Sequence, residues 1–109
     1  YISEKDIKKV SKIMYISHLI DFNSKNDFNL YLKKRKYSGG ELQRISLSRA
    51  ILSKRNILIL DEPTASLESD ISYKIILNLI KFCKQKGKTL IMCTHDKYLL
   101  KLFDKVFEI

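Results

Sequence analysis

The sequence predicts an α/β fold built on parallel strands. Two apolar runs without polar alternation, at 57–60 and 89–94, are typical of strands that are buried on both faces. An amphipathic helical pattern between them begins at Ser69 or Asp70, and Gly87 is placed to end it in a left-handed conformation. Because a strand, a helix and a second strand form a βαβ unit, we expect the two strands to be parallel.

Composition and charge limit the classes of protein. The 109 residues provide the core of one domain, and the 45% hydrophobic and 30% charged residues are typical of a soluble globular protein. The net charge of +9 predicts a solvated lysine-rich surface, with a phosphate-rich partner or an anionic membrane surface as the alternative. Nucleic-acid binding is disfavoured, because only Tyr31 and Tyr37 flank the basic cluster at 33–36. Cys83 and Cys93 lie in apolar surroundings without metal-ligand spacing, so we expect reduced core cysteines.

The remaining elements follow from hydrophobic periodicity and turn residues. One amphipathic helix is predicted over 3–20, followed by a polar loop at 21–29 and an irregular basic stretch at 30–36. A short helix over 97–103 and a third strand over 105–109 are predicted to complete the chain.

The stretch Ser38-Gly39-Gly40-Glu41 opens a further predicted helix, which runs to about Ser53. A serine followed three residues later by a glutamate is a capping box. The capping box does not explain two successive glycines, because glycine in a first turn lowers helix stability. Glycines there expose backbone N–H groups at the positive end of the helix. The stretch is therefore a candidate anion site, with phosphate as the expected anion.

Two acids and a histidine follow the predicted strands. Asp61 and Glu62 come directly after the first apolar run, and His95 comes after the second. Because the carboxyl ends of parallel strands lie at one edge of a sheet, we expect the three side chains to face one crevice. Taken alone, Asp61 and Glu62 could also be a solvated acidic turn at the end of a strand.

Four motifs in this order resemble those of ATP-binding cassette (ABC) ATPases. In chain order they are the signature motif at 37–50, the Walker B strand at 57–62, the D-loop at 65–68 and the switch histidine at His95. The resemblance covers residues 3–109. It implies an ABC-type P-loop NTPase with parallel strands, together with part of the α-helical signature subdomain. Three positions depart from the family's common residues, with Tyr37 in place of leucine, Glu41 in place of glutamine and Glu68 in place of aspartate.

The resemblance also implies roles for individual residues. Asp61 would hold Mg²⁺ through its water shell, Glu62 would be the general base that polarises the attacking water, and His95 would reach the γ-phosphate and orient that water. Contacts with an ATP molecule held by the opposite subunit are implied for Ser38, Gly39, Gly40 and Glu41. Phosphoryl transfer requires this kind of positioning and charge stabilisation more than covalent chemistry.

The P-loop pattern G-x-x-x-x-G-K-[ST] does not occur in the chain. The triplet at 87–89 resembles its end, but the first glycine would have to stand where the chain has Phe82. We therefore expect the C-terminal half of an ABC ATPase domain, with 1–55 in the helical subdomain and 56–109 in the α/β core. ATP and Mg²⁺ would need a P-loop outside this chain, so the 109 residues alone are predicted to be inactive.

The resemblance implies an ATPase that powers solute transport across a membrane. Such a domain works with a second ATPase domain and with transmembrane domains, at the cytoplasmic face of the cell membrane. The helix predicted over 3–20 and its spacing to Ser38 favour an exporter. A DNA-repair or chromosome-maintenance ATPase and a soluble translation-associated ABC protein remain alternatives. A basic α/β binding module is a further alternative, but it leaves the order of the four motifs unexplained.

Overall fold

The computed structural model describes residues 2–22 and 32–109, so most of the predicted polar loop and the start of the basic stretch lie outside the described residues. The chain forms two compact units, which are Tyr1–Lys54 and Arg55–Ile109. None of the helices in the described ranges is both long and apolar enough to cross a membrane.

The first unit contains helix α1 (Glu4–Ile13), a 3₁₀ helix (Ser17–Leu19) and helix α2 (Gly39–Leu52). The prediction of one helix over 3–20 is correct as far as Ile13 and wrong beyond it. Tyr15 has a φ of 57°, and a residue in the left-handed region cannot continue a right-handed helix.

Helix α1 begins as its sequence predicts. The side chain of Ser3 accepts a hydrogen bond from the N–H of Asp6 at 3.1 Å, which satisfies one of the free donors of the first turn. Helices α1 and α2 contact each other. The apolar residues that are buried in this unit are Ile7, Val10, Met14, Ile16, Leu19, Ile20, Ile45, Leu47, Ile51 and Leu52.

The second unit contains strand β1 (Ile57–Asp61), helix α3 (Ser69–Gln85), strand β2 (Thr89–Cys93) and a 3₁₀ helix (Lys97–Leu102). The two strands pair in parallel, and the register runs from Ile57 opposite Thr89 to Asp61 opposite Cys93. The predicted α/β class with parallel strands is thereby confirmed. The segment predicted as a short helix at 97–103 is helical, but of the tighter 3₁₀ type.

Helix α3 ends in a Schellman motif. Gly87 has a φ of 67°, as its position predicts, and its N–H donates to the carbonyl of Lys84 at 3.3 Å. The N–H of Lys88 donates to the carbonyl of Cys83 at 2.8 Å, which completes the motif. At the other end, the predicted cap at Ser69 or Asp70 is wrong. The capping residue is Glu68, whose backbone is extended and whose carbonyl accepts from the N–H of Ser72 at 2.9 Å.

The prediction that both strands are buried on both faces is wrong for the described residues. Leu58 is buried, whereas Ile57, Ile59 and Ile91 are exposed, Ile59 to 73%. Successive side chains of a strand point to opposite faces, so a sheet that is packed on one face leaves every second side chain in solvent. We call the surface of Ile57, Ile59 and Ile91 the bare face of the sheet.

Two further predictions are wrong. The segment at 105–109 is not a strand and pairs with no strand among the described residues; Phe107 within it is 84% exposed. A strand is stabilised by a hydrogen-bonded neighbour, and apolar residues alone do not supply one.

Cys93 is exposed instead of belonging to the core, because it lies on the bare-face side of β2 with Ile91. Cys83 is buried, and burial raises the pKa of its thiol.

Candidate functional site

The carboxyl edge of the sheet carries the two acids. Asp61 is the last residue of β1 and is exposed. Glu62 follows it, and the N–H of Glu62 donates to the carbonyl of Cys93 at 2.8 Å. This bond extends the pairing between the two strand segments by one residue. The backbone at Glu62 is therefore held against the end of β2.

Glu62 and His95 contact each other at this edge. One carboxylate oxygen of Glu62, Oε1, accepts from the backbone N–H of His95 at 2.8 Å and is also hydrogen-bonded to Nδ1 of the imidazole. The side chain of Glu62 is 27% exposed and that of His95 is 97% exposed. The carboxylate is thus oriented by the chain, while the imidazole remains accessible from solvent.

Glu62 has an unusual backbone conformation. Its φ is 46°, in the left-handed region that costs a residue with a side chain about 1–2 kcal/mol. The bond to Cys93, the contact with His95 and a turn closed by the N–H of Ala65 on the carbonyl of Glu62 at 3.2 Å oppose that cost. Left-handed residues that persist in this way are concentrated at functional sites.

A buried hydroxyl pair lies behind the turn. Thr64 is 3% exposed and Ser72 is fully buried, and the Ser72 hydroxyl donates to the Thr64 hydroxyl. This bond joins the turn after Glu62 to helix α3. Sequence reasoning missed this pair. The available signal was the position of Ser72 one turn before Ile75 and Ile76, on the apolar side of the helix.

The first turn of α2, which we call the signature turn (residues 38–41), is closed by the predicted capping box. The Ser38 hydroxyl accepts from the N–H of Glu41 at 3.1 Å, and Oε1 of Glu41 accepts from the N–H of Ser38 at 2.9 Å. A Cβ added at Gly39 would meet nothing within 4 Å. Packing among the described residues therefore does not explain the glycine, whereas close approach of a ligand to the backbone would.

Each carboxylate oxygen of Glu41 contacts a nitrogen-bearing side chain. Arg35 Nη2 lies 3.4 Å from Oε1, and His18 Nε2 lies 3.4 Å from Oε2. The hydrogen bond from the backbone N–H of Ser38 lowers the pKa of Glu41 below its ordinary value. His18 and Arg35 act in the same direction, and desolvation opposes them.

Arg44 connects the signature turn with the bend after α1. Its Nη1 donates to the carbonyl of Tyr15 at 3.0 Å, and its Nε donates to the carbonyl of Gly40 at 3.3 Å. Sequence reasoning assigned Arg44 only to a motif. The contact with Tyr15, 29 positions earlier, depends on the packing of α1 against α2 and has no local signal.

Comparisons with known proteins identify the family of this chain. A protein-family model described as ABC transporter matches residues 3–65. The chain belongs to the ABC transporter family. The thiamine import ATP-binding protein of Histophilus somni is 32% identical over 105 residues, which cover 96% of this chain and 45% of that protein. The lipoprotein-releasing system ATP-binding protein of Ehrlichia ruminantium is 36% identical over 72 residues, which cover 66% of this chain and 32% of that protein.

A solved structure shows the same fold as this ABC family member. The ADP conformation of an ATP-binding cassette of an ABC transporter matches with a TM-score of 0.61 and 20% identity, over 92% of this chain and 35% of that chain. The resemblance to the ABC-type P-loop NTPases is thereby confirmed for family and fold. The chain spans less than half the length of each of these relatives.

The residues at the edge of the sheet fit a magnesium ion that keeps most of its water. Within the described residues there is no group of three or more His, Cys, Asp or Glu side chains that could form a metal cage. Magnesium is commonly bound by one or two carboxylates together with waters and substrate phosphates. A single exposed carboxylate at Asp61 fits that mode of binding.

Proposed function

We propose that this chain is part of an ATP-hydrolysing domain of an ABC transporter, which powers solute transport across a membrane. The contact of Glu62 with His95 at the carboxyl edge of two parallel strands supports this proposal most directly. The contact aligns one carboxylate and one accessible imidazole at the edge where an open α/β sheet binds its ligand. The family match and the relatives' names support the link to ATP and to transport.

Each acid has a separate task in this proposal. Asp61 would hold Mg²⁺, and that ion would supply charge stabilisation to the phosphates. Glu62 accepts the proton of the attacking water or polarises it, and His95 orients the water and the γ-phosphate. General-base catalysis requires a group that is within hydrogen-bond reach of the water and already oriented. The left-handed backbone and the His95 contacts restrain the orientation of Glu62, which supports this role.

The signature turn has a task in the opposite site. Ser38, Gly39, Gly40 and Glu41 form the first turn of α2, where the dipole favours an anion. The capping box engages the N–H groups of Ser38 and Glu41, whereas those of Gly39 and Gly40 have no helix carbonyl to donate to. We propose that this turn contacts the γ-phosphate of ATP held by a second ATPase domain. Glu41 closes the turn through the capping box, and the open space beside Gly39 supports close approach of a phosphate.

The proposed partners are a second ATPase domain and transmembrane domains, at the cytoplasmic face of the membrane. The relatives' names include an import protein and a releasing system. The preference for export depended in part on a helix over 3–20, and that helix ends at Ile13. Transport is therefore proposed without a direction, which inside-out vesicles loaded with candidate solutes would establish.

The decisive experiment is Glu62→Gln in the complete protein that carries these residues. The amide preserves the shape of the side chain but cannot accept a proton, so we expect kcat for ATP hydrolysis to fall by about 100-fold or more. ATP affinity should stay within a factor of about two, because the proposed role is in the chemical step. Glu108→Gln is the matched control, because it makes the same change at an exposed glutamate that has no role in the proposed site.

Two results would contradict the proposal. If Glu62→Gln retained the kcat of the wild type, Glu62 would not be the general base. If the complete protein hydrolysed ATP but co-purified with no integral membrane protein, and DNA or ribosomes stimulated its activity, one of the two alternative ABC classes would replace the transporter.

A further inference from the structure

We propose that Arg44 is a positioning residue that fixes the signature turn against the bend after α1. The inference rests on the proposed function, in which the backbone of Gly39 and Gly40 contacts a phosphate. Arg44 itself is placed one turn behind those glycines, so it acts through the backbone that it holds.

The guanidinium of Arg44 makes two hydrogen bonds in different directions. Nε donates to the carbonyl of Gly40 at 3.3 Å, within the signature turn. Nη1 donates to the carbonyl of Tyr15 at 3.0 Å, in a different segment of the same unit. A planar guanidinium holds its donors in a rigid fork, whereas a lysine ammonium provides a single point of charge. The fork of arginine can therefore hold both carbonyls at a fixed separation.

The acceptor at Tyr15 is itself fixed. Tyr15 is left-handed, and its N–H donates to the carbonyl of Lys12 at 3.1 Å. The next N–H, of Ile16, donates to the carbonyl of Ser11 at 2.8 Å. Backbone bonds on both sides of the Tyr15 carbonyl therefore set its direction. Because Ile16 is fully buried, the bend is also anchored in the core of the unit.

The adjacent residue of the turn is tethered independently. The carboxylate of Glu41 contacts His18, three residues after Tyr15, at 3.4 Å. Arg44 and Glu41 therefore connect two successive positions of the signature turn to the same short segment at 15–18. Two tethers at adjacent positions restrain both the distance and the rotation of the turn, whereas one tether would restrain the distance alone.

The expected consequence is a loss of rate and not of nucleotide affinity. A displacement of about 1 Å at a group that positions the reacting phosphate can cost up to about 100-fold in rate. Binding of ATP by the P-loop of the same domain does not involve the signature turn in the proposed function. We therefore expect Arg44→Met to lower kcat by about tenfold or more, with ATP affinity unchanged within a factor of about two.

The experiment uses the complete protein, with kcat, ATP affinity and melting temperature measured for each variant. Arg44→Lys should not restore kcat, because its three N–H donors share one nitrogen and cannot reproduce the separation between Nε and Nη1 that holds the two carbonyls. Arg55→Met, at an exposed arginine outside the site, is the matched control and should retain wild-type kcat. A role in stability alone would lower the melting temperature without lowering kcat measured well below it.

Two single variants at Tyr15 test the carbonyl that accepts from Arg44. Tyr15→Gly keeps the carbonyl and tolerates a positive φ, so it should retain kcat. Tyr15→Val disfavours that φ and should lower kcat like Arg44→Met. The double variant Arg44→Met with Tyr15→Val should be no slower than Arg44→Met, because both substitutions remove the same tether between Arg44 and the Tyr15 carbonyl.

Either of two results would overturn the inference. These are wild-type kcat in Arg44→Met and additive losses in the double variant. A wild-type protein without ATPase activity would instead overturn the proposed function, so the two failures can be distinguished.

Discussion

At the scale of single residues, the left-handed backbone of Glu62 predicts the order of stability of two substitutions at this position. Glycine accepts a positive φ without penalty, whereas alanine does not, and both substitutions remove the same carboxylate. We therefore expect Glu62→Gly to have a free energy of unfolding about 1 kcal/mol higher than Glu62→Ala. Urea unfolding of the two variants measures the difference.

Asp61 provides the control for this comparison. It lies in β1, where an extended backbone suits alanine, so Asp61→Gly should be less stable than Asp61→Ala. The same order at both positions would show that the left-handed conformation of Glu62 carries no cost.

The hydrogen bonds of Glu41 predict a pH dependence at the scale of helix α2. The folded state lowers the pKa of this carboxyl, so the folded state releases its proton more readily than the unfolded chain does. Glu41 therefore stabilises the fold at pH values above the ordinary glutamate pKa, and this contribution is lost as pH falls through the lowered value. We expect the difference in unfolding free energy between wild type and Glu41→Gln to be largest near pH 7 and to shrink below about pH 4.5.

Chemical denaturation of both proteins at a series of pH values tests this prediction. Glu108→Gln, at an exposed glutamate, should show no comparable difference from the wild type. A difference for Glu41→Gln that grows towards acidic pH would contradict the direction of the pKa shift.

Elements with local signals were predictable from the sequence. The capping box needs only Ser38 and Glu41, and the end of α3 needs only a glycine that tolerates a positive φ at position 87. The end of α1 has no such signal, because Tyr15 is a residue type that rarely adopts a left-handed backbone. The strand expected at 105–109 failed for another reason, since pairing depends on a neighbour that apolar sequence alone does not specify.

At the scale of the whole molecule, one contact of the candidate site could be predicted from the sequence and another could not. The contact between Glu62 and His95 follows from parallel pairing, which brings the ends of two strands to one edge. The contact between Arg44 and Tyr15 follows from how two helices pack, and no period or motif encodes it. Sequence reasoning therefore located the acids and the histidine, but not the arginine that holds the signature turn.

A protein consisting of these 109 residues should not bind Mg-ATP with micromolar affinity. Its sequence contains no P-loop pattern, and neither Asp61 nor the signature turn can replace a loop whose N–H groups surround the phosphates. Calorimetry with Mg-ATP tests this directly, with the complete protein as the positive control. Micromolar binding by the 109 residues would show that a phosphate site exists elsewhere in the chain.

The bare face of the sheet predicts self-association of the same 109-residue protein. Exposed apolar patches and unpaired strand edges are surfaces through which chains associate. We expect light scattering at high concentration to show species larger than a monomer. Ile59→Lys should reduce their population, because it places a charge on the most exposed residue of the bare face. A monodisperse wild-type monomer would contradict this prediction.

The parallel pairing of the strands also sets a waiting time during synthesis. Ile57 pairs with Thr89, 32 positions later, and α3 lies between the two strands. At about 5–20 residues per second, roughly 2–6 s pass between the synthesis of a β1 residue and that of its partner. During that interval the run Ile57-Leu58-Ile59-Leu60 has no β2 to pair with. The same order of elements that brings Glu62 to His95 leaves an apolar strand open to chaperones on the ribosome.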